Sequence, residues 1–129
     1  MELDDLAEVV GRLNEMDPSA LADPESIVGL QRHLASLEAI TSRATAAFDA
    51  ADSWAPDGAR NAAAWITATC RLKKSEARRR VRRGRELRFL PETTRAWVGG
   101  DITGAHVDVM ISLRGPATEA ALARDEGLL

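Results

Sequence analysis

The chain has 129 residues, is 45% hydrophobic and 29% charged, and carries a net charge of −3 with a single cysteine. This length and apolar content suit one globular domain and exclude a disordered chain, while the lone Cys70 excludes an internal disulfide and reads as a small half-buried residue. Aromatics make up 4%, tyrosine is absent and alanine is abundant, so helix packed on helix is favoured over any sheet.

Residues 3–16 read as a first helix. Leu3, Leu6, Val9, Val10 and Leu13 recur at helical spacing, with Asp4, Asp5 and Glu8 at the end where the helix dipole favours acids. Asp17-Pro18-Ser19 breaks it, and Leu21 packs in the connection. A longer helix starts at Asp23-Pro24, since Asp is a good cap and Pro at the first helical position loses no needed hydrogen bond. Along it Ile27, Leu30, Leu34, Leu37, Thr41, Ala44, Phe48 and Ala51 alternate by threes and fours, a coiled-coil-like seam about 40 Å long. Either this seam packs within the chain's own bundle, or part of it is covered by another chain or by a further C-terminal region. His33, one place from the seam, reads as a surface residue.

Ser53-Trp54-Ala55-Pro56-Asp57-Gly58 is a loop by its turn chemistry, with Trp54 as its anchor. Ala59 to Thr69 forms a third helix whose shared face is Ala62, Trp65, Ile66 and Thr69, with Trp65 in the core. A break near Cys70-Arg71-Leu72 leads into a basic segment, a helix-turn-helix outline. The outline is imperfect: Arg71 stands where glycine is expected, and Lys73 cannot cap the next helix. Ala96, Trp97 and Val98 lie on a short helix after Pro91, ended by Gly99-Gly100. Thr103 caps another helix through Leu113 with Ala105, Val109 and Met110 as its apolar positions; Gly115-Pro116 closes it, and residues 117–126 begin one more.

The basic segment, residues 71–88, organises the rest. Ten of its residues are Lys or Arg and two are Glu, leaving the remainder of the chain with seven bases and eighteen acids. Ala77, Val81, Gly84 and Leu87 make one narrow apolar face of a helix, and Phe89-Leu90-Pro91 ends it. A buried guanidinium is costly unless paired, so most of these arginines face water, acidic neighbours or a polyanion. One reading is a solvated face neutralised by the chain's own acids. The other is a nucleic-acid contact, the usual meaning of clustered Arg on one helix. No broad Leu/Phe/Trp face supports membrane binding.

Several segments resemble a known family. Asp57-Gly58-Ala59-Arg60-Asn61-Ala62-Ala63-Ala64-Trp65-Ile66, Glu76-Ala77-Arg78-Arg79-Arg80-Val81, Leu87-Arg88-Phe89-Leu90-Pro91 and Gly100-Asp101-Ile102-Thr103-Gly104-Ala105-His106 are similar, in order and spacing, to segments of the actinobacterial 13E12 repeat proteins. The N-terminal region of those proteins is domain of unknown function 222. The resemblance implies an α-helical region that in many members precedes a His-Asn-His endonuclease domain. Lys73 departs from the family's capping Ser or Thr. His106 matches a recurring family histidine and is weighed first as structural, with a functional role as the alternative.

The expectation is therefore an all-α fold: a compact bundle of five to six helices with one long central helix and a helix-turn-helix-like basic segment. Residues 1–129 are expected to form a single helical domain, the N-terminal part of a longer protein. No Ser/His/Asp set, phosphate loop or Cys/His/Asp metal cluster is visible, so no catalytic residue, cofactor or metal is assigned. The leading function is a non-catalytic nucleic-acid-binding module, with DNA the expected partner, contacting phosphates through Lys73, Lys74, Arg78, Arg79, Arg82, Arg83 and Arg85. The alternative is an interaction or homodimerisation module using Ile27, Leu30, Leu34, Leu37, Ala44 and Phe48. An acidic N-terminus without a long apolar stretch leads to an expected cytoplasmic location.

Overall fold

Side-chain caps set where the helices begin. Asp23 accepts the Ser26 backbone N–H at 3.0 Å and the Ser26 hydroxyl at 2.6 Å, and these bonds hold its carboxyl below the usual 3.8. Asn61 accepts the Ala64 N–H at 2.8 Å, so the helix expected from Ala59 starts at Ala62. Lys73 makes no side-chain cap, as its chemistry requires.

A computed structural model describes residues 1–129 and is helical, with no strand. The α-helices are α1 (Glu2–Glu15), α2 (Pro24–Ala50), α3 (Ala62–Cys70), α4 (Lys74–Leu87), α5 (Pro91–Val98), α6 (Gly104–Leu113) and α7 (Glu119–Asp125). Short 3-10 turns occupy Pro18–Leu21, Ala55–Asp57 and Glu126–Leu128. Seven helices replace the expected five or six because the last segment completes a helix of its own. None is long and apolar enough to cross a membrane.

The chain divides into two units, Met1–Gln31 and Arg32–Leu129. The first holds α1 and the opening of α2, carries eight acids against one base, and buries no residue. Leu3, Val9 and Val10 are exposed there. A segment this short has too little surface to close a core.

The second unit carries sixteen bases against twelve acids and contains the core. One cluster joins Ala35 and Ala39 of α2 to Leu87, Leu90, Trp97, Val107, Met110, Ile111 and Leu122. The other joins Ala62 and Ile66 of α3 to Ala77 and Val81 of α4, with Phe48, Trp54 and Trp65 against it. Helix α4 takes part in both and packs on α3, α5 and α6, so the basic helix, and not the longest one, is the hub. Its expected apolar face, Ala77, Val81, Gly84 and Leu87, is buried throughout.

Several expectations need correction. The seam of α2 does not pack inside the chain: Ile27, Leu30, Leu34, Leu37 and Ala44 are exposed, and only Phe48 is half-buried, 4.7 Å from the Trp65 ring. The buried face is instead Ala35, Ala39, Ser42 and Thr45. Small residues win there because α4 comes very near: a Cβ on Gly84 would stand 3.0 Å from the Ala46 Cβ and 3.0 Å from the Ser42 carbonyl oxygen. In α6 the core face is Gly104, Val107, Met110 and Ile111, while Ala105 and Val109 point outward. Trp65 is half-buried and donates its indole N–H to Asp57 at 2.7 Å, and Thr69 and Cys70 are exposed. Trp97 fills the larger core, fully buried, with its indole N–H unpartnered.

Two further contacts fix the C-terminal half. Gly100 sits at φ +78°, and a Cβ there would meet the Arg32 carbonyl oxygen at 2.7 Å, so only glycine fits. The buried carboxylate of Glu126 accepts the Thr93 N–H at 2.6 Å, tying the C-terminal turn to the start of α5.

Replacing Gly84 with Val should force α2 and α4 apart and cost about 2–3 kcal/mol. Thermal unfolding monitored by circular dichroism would register this as a fall of roughly 5–12 °C.

Candidate nucleic-acid interface

Helix α4 begins after a three-residue connection from α3. Arg71, at φ 57°, takes the left-handed conformation that glycine was expected to supply. A non-glycine residue tolerates that conformation at a cost of about 1–2 kcal/mol, and here it turns the chain back so that α4 lies along α3. With Ala77, Val81, Gly84 and Leu87 turned inward, the cations project from the flanks.

The structure sorts those cations by what each one touches. Arg83 is the inward exception: only 12% of its side chain is exposed, and it forms a two-pronged pair with Asp108 of α6, both bonds 2.8 Å. Its guanidinium also lies 5.6 Å from the Trp97 ring centroid. The Asp108 bond raises the Arg83 pKa further, so it stays charged while it joins α4 to α6. Gly104 makes room for it, since a Cβ there would stand 2.8 Å from the guanidinium. Arg83 therefore acts as an internal strut and is not available as the phosphate ligand the sequence suggested.

Arg85 is intermediate. It pairs with Asp49 of α2 through bonds of 2.7 and 3.0 Å, yet most of its side chain is exposed. The other eight cations of residues 71–88 form no ion pair. Among these, Lys73, Lys74, Arg78, Arg79 and Arg82 are exposed, and Arg80 is half-buried. The full neutralisation by the chain's own acids that a purely solvated face requires is absent.

The exposed cations fall on two sides. Lys74, Arg78, Arg82 and Arg85 line a cleft of about 860 Å³ against α3, and Arg60, just ahead of α3, lines it too. Exposed Arg79, with the half-buried Arg80 and the paired Arg83 beside it, looks the other way, toward α2 and the start of α6. Sequence reasoning missed Arg60 and Asp49. Neither has a spacing signal relative to α4, because both arrive there only through helix packing. At the end of α4, Arg114 bonds Glu86 at 2.6 Å and Glu119 at 2.9 Å and lies 3.9 Å over the Phe89 ring. His33 and His106 are both exposed, and no group of three or more His, Cys, Asp or Glu stands together as a metal site.

A fold of packed helices built around an arginine-rich helix defines the class, and comparison with known families defines the membership. Residues 26–127 match the model of DUF222, a domain of unknown function, and the chain belongs to that family. Helix α1 lies outside the matched segment. No curated protein and no solved structure matches the chain.

Breaking the strut should cost far more than removing a free cation. Asp108→Asn should destabilise the fold by about 2 kcal/mol, because it leaves the half-buried Arg83 charge poorly matched. Arg78→Ala should stay within about 0.5 kcal/mol of the parent chain. Urea unfolding of the two variants side by side makes the comparison.

Proposed function

We propose that the chain is a non-catalytic nucleic-acid-binding or targeting module, with DNA the ligand tested first and the cytoplasm as its place of action. The resemblance to 13E12 repeat proteins supports a role beside a His-Asn-His nuclease domain, which would supply the chemistry. The observation that carries the reading is the set of exposed, unpaired cations Lys73, Lys74, Arg78, Arg79 and Arg82 at the start of and on both flanks of the helix that holds the second unit together. Like charges one helical turn apart repel, and a polyanion relieves that repulsion while releasing its own counterions. Because these cations ride on the hub helix, a bound strand would meet a surface already ordered by the core.

Each phosphate contact should contribute about −0.9 to the slope of log K against log salt on duplex DNA. Five contacts give a slope near −4.5, and changing Arg78, Arg79 and Arg82 together to Ala should reduce its magnitude by about 2.7. Fluorescence anisotropy with a labelled 20-mer duplex at several salt concentrations measures this. Unchanged affinity and slope in the triple variant would remove the reading.

A second reading, a helical interaction or homodimerisation module, is favoured by one observation. Leu34 is 54% exposed, and Leu37 and Ile40 beside it on α2 are exposed as well, an apolar stripe that the rest of the chain leaves largely uncovered. If two copies pair through it, light scattering should give a dimer mass that Leu34→Glu with Leu37→Glu converts to monomer. A strict monomer across a wide concentration range would eliminate this reading.

A further inference from the structure

We infer that the cleft between α3 and α4 is a track for a single polynucleotide strand, gripped by its phosphates and not read by its bases. The inference rests on the nucleic-acid reading and narrows it to one site and one form of ligand.

Four observations lead there. Lys74, Arg78, Arg82 and Arg85 stand at i, i+4, i+8 and i+11 of one helix, a ladder about 16 Å long whose rungs suit successive phosphates along a strand. Arg60 lines the same cleft from the α3 side, so the cations enclose a channel and do not merely decorate a helix. That opposite wall is built of alanines, Ala64 and Ala68 among them, so no side chain fills the space. A volume of about 860 Å³ has room for a short run of one strand but not for a duplex.

The cleft is also electrostatically open. Glu86 is the one carboxylate lining it, and Arg114 neutralises it from outside at 2.6 Å. Asp49 restrains Arg85 from the α2 side and would share it with an arriving phosphate.

Dedicated base reading has little equipment there beyond the cations themselves. No aromatic ring lines the cleft for stacking. The Thr67 hydroxyl donates to the Ala63 carbonyl at 2.9 Å, and the Asn61 side-chain oxygen accepts the Ala64 N–H, so the Asn61 amide N–H2 is the one uncharged side-chain donor left in the lining. One amide against five cations gives little leverage on a 2′-hydroxyl, and DNA and RNA strands should bind within about threefold of each other.

The test uses the full chain with labelled 12-mers of oligo-dT and oligo-U and a hairpin duplex, followed by anisotropy. Arg60 distinguishes the track from a general α4 surface, because it lies outside that helix; Arg43, exposed and unpaired on α2, controls for simple loss of charge. The expected result is that both single strands bind within about threefold of each other. Arg60→Ala should weaken both about fivefold and reduce the magnitude of the salt slope by about 0.7, with Arg43→Ala leaving them unchanged. If Arg60→Ala leaves both strands untouched while the α4 triple variant still weakens the duplex, the track is wrong and the broader reading stands. A preference above about tenfold for one sugar would overturn grip by phosphate alone. Failure of every probe to bind would remove both.

Discussion

Everything in the larger unit follows from how little α4 is permitted to bury. Its inward face is Ala77, Val81, Gly84 and Leu87, a strip so slim that neighbouring helices approach almost to backbone contact. A broader apolar face would have drawn the adjacent arginines into the core, where each would need a partner. The slim strip leaves them outside, and the helix is at once the most connected and the most charged element of the fold.

Where α4 meets acids, its cations become architecture. Arg83 meets Asp108 and Arg85 meets Asp49, and in each case the carboxylate comes from a helix already packed alongside. The same chemistry recurs at Arg114, whose two acids, Glu86 and Glu119, fasten the segment after α6 to the end of α4 and to the start of α7. Three cations that found no such acid, Lys74, Arg78 and Arg82, lie along the α3 side, where alanines stand. Thus the local shortage of Asp and Glu on α3, and not the arginine count alone, separates structural from available charge.

Much of this was legible along the chain. The inward strip of α4, the breaks at Asp17-Pro18 and Gly99-Gly100, and the cap at Thr103 follow from periodicity and turn chemistry, which act over a few residues. The long apolar seam misled because hydrophobicity marks what is able to be buried, while proximity of backbones decides what is; Ala35, Ala39 and Ser42 outcompeted Leu34 and Leu37 by being small. In α6 the true face began at Gly104, a residue no hydrophobic pattern counts. Arg83 was indistinguishable from its neighbours in sequence, since its fate depends on Asp108, far along the chain. Arg60 was invisible as a candidate for the same reason.

The unequal allotment of charge between the two units has a practical corollary. The whole protein holds a surplus of three negative charges, but Met1–Gln31 alone accounts for eight acids and one base. A chain lacking that segment would hold a surplus of four positive charges and would change sides on an ion-exchange column at pH 7. The isoelectric point of the intact molecule, near 5.4, thus conceals a cationic body behind an anionic preface.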